Sequence, residues 1–113
     1  MQELEVKTYN FAIQSIGFVK SLEKNHPELV NKELKTCAGA VSIDFIAAID
    51  SNENEDFAKN LRACHNNAKK SLTLLKDTGE LKDQQLNSQK NALIKEAEEI
   101  IEKLDQIIDK LIY

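Results

Sequence analysis

Tryptophan is absent from this chain of 113 residues, and proline occurs once, at Pro27. Aromatic residues make up only 5% of the composition, so the apolar content rests on Leu, Ile and Ala, as expected for helix-on-helix packing. The two cysteines, Cys37 and Cys64, are too few for a disulfide framework. Both fall inside apolar stripes of helical pattern, which reads as two small buried hydrophobes in a reducing compartment. No apolar run approaches the roughly eighteen to twenty residues of a membrane span, and the first residues lack the basic-then-apolar pattern of a signal peptide. The expectation is a soluble, cytoplasmic protein without membrane contact.

Chemistry-bearing constellations are equally scarce. His26 and His65 lie in different segments, and no His, Cys or carboxylate cluster has zinc spacing. The paired Glu-x-x-His pattern of bundle-type di-metal sites is missing, as is a phosphate-cradling glycine loop. Cys64 and His65 are sequence neighbours, but adjacent helical residues point about 100° apart, so they do not form a nucleophile and base. The chain is therefore expected to have no catalytic residues, no metal and no cofactor. A pocket bringing His65 to a carboxylate is what would reopen an enzymatic reading.

What the chain does have is helical periodicity. Three polar breaks, Asn25-His26-Pro27, Asp50 to Asn54 and Asp77 to Glu80, divide it into four amphipathic stretches. Their spacing predicts helices over about 2–24, 27–49, 53–77 and 82–112 in a single domain. Short connections make an all-α, antiparallel up-down-up-down four-helix bundle the expected fold. Pro27 suits a first helical turn because its missing N–H has no partner there, with Asn25 as a cap. Asn52 with Glu55, or Asn54 with Glu55 and Asp56, would each cap the third helix. Gly79 is placed to close it in a left-handed conformation, with Leu81 as the contact beyond.

The first helix carries two apolar ridges. Leu4, Phe11, Phe18 and Leu22 form one; Val6, Tyr9, Ile13 and Ile16 form the other. Together they sweep about 240°, far wider than the stripe of a helix with one neighbouring group. Either this helix is unusually buried, or one ridge meets another subunit. The second reading is favoured, with Leu4, Phe11, Phe18 and Leu22 as the subunit interface of a homo-oligomer. In the last helix Ile94, Ile101, Ile108 and Ile112 make a similar second ridge beside the heptad series from Leu86 to Leu111. In the second helix, small residues around Gly39 predict close packing, and Asp44 lies on an exposed edge, pairs with a basic residue of the third helix, or lines a polar spot in the bundle.

Net charge is −4, which does not favour nucleic acid as a partner for the whole molecule. Locally the third helix is basic: Lys59, Arg62, Lys69, Lys70 and Lys76 fall within about 120° of arc, with no acidic residue between Phe57 and Lys76. The stripe is a solvated face balanced by acidic neighbours, a contact for RNA or DNA phosphates, or a docking face for a protein. No aromatics interleave it, so base stacking is not expected.

In order along the chain, Phe11-Ala12-Ile13 through Leu22, Leu34-Lys35 with Val41-Ser42-Ile43, Ala48-Ile49 followed by Asp56-Phe57 and Leu61, and Leu74-Leu75-Lys76-Asp77-Thr78-Gly79 carry a resemblance. The chain resembles the bacterial four-helix-bundle proteins encoded in large-subunit rRNA intervening sequences, and their relatives, the accessory proteins of diversity-generating retroelements. The resemblance implies the bundle and a ring-like homo-oligomer, a pentamer in relatives. Members that bind nucleic acid are strongly basic, whereas this chain is acidic. The leading expectation is thus a non-enzymatic oligomeric scaffold or adaptor. The alternative is a nucleic-acid accessory protein using the basic stripe.

Overall fold

The computed structural model describes residues 1–112. Its elements are α1 (Gln2–Asn25), a 3-10 turn (Pro27–Leu29), α2 (Lys32–Ile49), α3 (Asn54–Asp77) and α4 (Gln84–Ile108). Each helix packs on its neighbours in the chain, and α4 closes the ring against α1, while the diagonal pairs do not meet. That is the up-down-up-down four-helix bundle, an elongated body of 46 × 21 × 19 Å.

The ends of the helices follow local chemistry. Asn25 serves the end of α1, its side-chain amide donating to the Ser21 carbonyl at 3.1 Å. Pro27 then opens a 3-10 turn instead of α2. The expected start at 27 is therefore too early: Asn31 is the cap, its Oδ1 accepting from the Glu33 N–H at 2.9 Å. α3 begins after Glu53, whose extended backbone offers its carbonyl to the Phe57 N–H at 3.0 Å, with no side-chain cap bond from Glu53. Gly79 has φ +73, the left-handed conformation that glycine adopts without steric cost, and Leu81 is buried beyond it. Asp83 caps α4 through the Leu86 N–H at 3.2 Å. Tightened turns from Ile107 and Ile108 end α4 before 112.

The core settles the question of the two ridges on α1. Leu4, Phe11, Phe18 and Leu22 are all buried inside the bundle. They cannot form a subunit interface, because their surface is already used against α2 and α4 within the chain. Burying a Phe or Leu side chain stabilises by about 1.5–3 kcal/mol, so this ridge is a main source of the fold's stability. Phe11, Phe18 and Phe45 share the core with four fully buried alanines, Ala38, Ala48, Ala68 and Ala97. The second ridge of α4 is also largely taken up: Ile94, Ile101 and Ile108 pack against the core, and only Ile112 stands exposed.

α2 and α3 make the most extensive helix contact. Small side chains at Cys37, Ala38, Ala48, Cys64, Ala68 and Ser71 let the two axes approach. Asp44 sits on that seam, accepting from the Asn67 amide at 2.8 Å. Gly39 is not at a tight point: a Cβ there would meet only Ile16 Cδ1, at 4.0 Å.

Candidate functional site

The basic side chains of α3 do line its outward face, but its edges are occupied. Lys70 Nζ lies 3.0 Å from Glu33 of α2, and Lys76 Nζ lies 3.9 Å from Glu98 of α4. The hydrogen bond to Glu33 holds the Lys70 ammonium above its usual pKa. The structure therefore splits the five: Lys70 and Lys76 are balanced by flanking helices, while Lys59, Arg62 and Lys69 have no carboxylate within ion-pair distance among the described residues. Lys59 and Arg62 share an open hollow of about 470 Å³ with Glu55, Ala58, Ala63 and Asn66. Glu55 places a carboxylate in that hollow, which weakens its attraction for a phosphate.

His65 does meet a carboxylate. Its Nε2 lies 2.6 Å from Asp105 Oδ1 across the α3–α4 seam. The contact is at the surface, with the Asp105 side chain half exposed, and it works as an interhelical clamp. The neighbouring thiol is turned away from it: Cys64 Sγ donates to the Val41 carbonyl at 3.2 Å inside the core. Burial pushes the Cys64 pKa up to about 12, with the nearby Asp44 charge adding to the effect. A thiol so held is not a nucleophile near neutral pH. Among the described residues no group of three His, Cys, Asp or Glu side chains is placed to hold a metal ion. No described helix is long and apolar enough to cross a membrane.

The surface that stands out is apolar and lies on α1 and α2. Val6, Tyr9 and Ile13 of α1 are 55%, 56% and 53% exposed, and Ile43 and Ile46 of α2 are 67% and 42% exposed. The two helices run antiparallel, so the start of α1 lies beside the end of α2. Val6, Tyr9 and Ile46 accordingly line one shallow hollow of about 380 Å³ with Gln2 and Glu5. The α1 part of this apolar surface is three residues of the second ridge; Ile16, the fourth, is half-buried opposite Gly39 of α2. The helical wheel foreshadows Val6, Tyr9 and Ile13. Ile43 and Ile46 are harder to find, because they stand next to the buried Val41-Ser42 and Phe45 in a largely apolar stretch broken only by Ser42 and Asp44.

On the opposite side of α1, Lys7 bridges to Glu96 and Glu99 of α4 at 3.1 and 3.0 Å. The hydrogen bonds from Lys7 raise its own pKa and lower that of Glu99. A groove of about 460 Å³ between α1 and α4 has no charged side chain in its lining; its polar side chains are Gln14, Ser21 and Gln89. Set against known proteins, the chain matches no family model, no curated protein and no solved structure.

Proposed function

We infer that this chain is a non-enzymatic, homo-oligomeric scaffold or adaptor whose contact surface is the apolar α1/α2 face. One observation carries the reading. Five large apolar side chains of the adjoining helices α1 and α2, Val6, Tyr9, Ile13, Ile43 and Ile46, are exposed, and Val6, Tyr9 and Ile46 among them line one hollow. Leaving them wet forgoes a stabilisation that association recovers. The placement of the reactive side chains supports this reading: both thiols are buried, and His65 is paired with Asp105 across a helix seam.

The reading is tested with Tyr9→Glu and Ile13→Glu. Both side chains are outside the core, so the helical signal in circular dichroism stays unchanged while the apparent size in gel filtration falls. A native chain that elutes identically to these variants refutes the reading. The second reading, a nucleic-acid accessory protein, is supported by Lys59, Arg62 and Lys69, which carry no ion pair among the described residues. It requires RNA or DNA binding at low salt that weakens as salt rises and is lost on reversing those three charges. Absence of binding at low salt removes it.

A further inference from the structure

We propose that the occupant of the α1/α2 face is a second copy of this chain, related by a two-fold axis running across the helices, so that α1 lies antiparallel on α1 of the other copy. The proposal rests on the scaffold reading above and specifies its geometry.

The first argument is the number of sticky faces. Val6, Tyr9, Ile13, Ile43 and Ile46 belong to the adjoining helices α1 and α2; of the other large apolar side chains exposed among the described residues, Met1 begins α1 at the same end, Leu29 lies in the connection after α1, and Ile112 lies beyond the end of α4. A ring is assembled head to tail and needs two different complementary faces on each copy. A two-fold contact needs a single face that complements itself, which is what this surface supplies.

The second argument is charge order along the face. The antiparallel register is fixed at three levels: Tyr9 and Ile46 line one hollow, Ile16 Cδ1 lies opposite Gly39, and Glu23 pairs with Lys35 at 3.1 Å. Exposed Glu5 and Asp50 therefore mark one end of the face; the other carries exposed Lys20 and Lys24 beside the Glu23–Lys35 pair and is net positive. An axis parallel to the helices puts like ends together, and juxtaposed like charges oppose association. An axis across the helices between Ala12 and Ile13 exchanges the ends. It carries Lys20 over Glu5 of the other copy, ammonium against carboxylate.

The third argument is size. Five half-exposed large side chains leave on the order of 500 Å² of apolar surface, short of the roughly 800 Å² per partner of a stable interface. The antiparallel arrangement makes up the difference by bringing the flanking Gln2, Glu5 and Lys20 into contact, giving an apolar centre with a charged rim.

Disulfide trapping tests the geometry, with Glu5→Cys, Lys20→Cys and the double variant under mild oxidation. The natural Cys37 and Cys64 are buried and stay silent. The expected result is a covalent species of twice 12.8 kDa in the double variant and none in either single variant. Self-coupling of Glu5→Cys alone shows that like ends meet and overturns the axis, as does a ladder beyond dimer or an oligomer that no variant traps. In those cases the scaffold reading stands. A native chain of monomeric mass together with no trapping overturns both.

Discussion

Lys90 offers the sharpest test of how this bundle is held together. It occupies a core position of α4, between Leu86 and Leu93, and is only 6% exposed. Its ammonium donates to the carbonyl of Gly79, just beyond the end of α3. A cation there also meets the negative end of the α3 dipole, worth about 0.3–1 kcal/mol. A hydrogen bond to a charged group contributes about 1.5–3 kcal/mol. Two effects reduce the net figure: the ammonium is partly desolvated, and Gly79 is exposed, so water can replace the lost donor. For Lys90→Met, which keeps the stem, we expect a loss of about 1 kcal/mol. Lys90→Ala also removes three buried methylenes at about 0.8 kcal/mol each, for a total near 3 kcal/mol. Urea denaturation followed by helical circular dichroism separates the two. The order native, Met, Ala in falling stability is the prediction. A Met variant more stable than the native chain refutes the reasoning, since it means that desolvation of the ammonium outweighs what its carbonyl partner and the helix dipole return.

Further expectations follow from single side chains. Ser15 Oγ is buried with no hydrogen-bond partner among the described residues, so Ser15→Ala stabilises by about 1 kcal/mol; destabilisation of that size in a urea melt means the hydroxyl is satisfied. Cys64, with its pKa pushed to about 12 and its thiol on Val41, resists a thiol reagent at neutral pH in the native state and reacts after unfolding; fast native labelling contradicts its placement. The Lys7–Glu99 pair sets a pH window. Glu99 is held below its ordinary value of 4.5, so its contribution is present above that pH and is lost as pH falls through the depressed value. Lys7 is held above 10.5, so its contribution is present below that pH and is lost as pH rises through the raised value. Lys7→Met flattens both edges of a stability–pH curve; unchanged edges refute the assignment.

Much of the fold is legible in the sequence, because helical periodicity and the breaks at Pro27, Asp50–Asn54 and Gly79 are local signals. The start of α2 is less so. Asn25 and Asn31 are equally good caps in isolation, and the tight turn from Pro27 to Leu29 decides between them. Which ridge of α1 faces inward is not local at all. Leu4, Phe11, Phe18 and Leu22 and the ridge of Val6, Tyr9 and Ile13 are both apolar, and only packing selects the one with two large Phe side chains for the core. Lys90 is a case in which the signal exists, a lysine where the heptad calls for an apolar residue, but its reason lies on another element, at Gly79. The basic stripe is visible in sequence; that Glu33 and Glu98 occupy Lys70 and Lys76 is a property of the tertiary arrangement.

The central claim is that the apolar α1/α2 face is covered by another copy. Sedimentation equilibrium of the unmodified chain at micromolar concentration tests it most directly. The account predicts a mass of twice 12.8 kDa, falling to 12.8 kDa for Ile13→Glu at the same concentration. A native mass of 12.8 kDa across that range contradicts it.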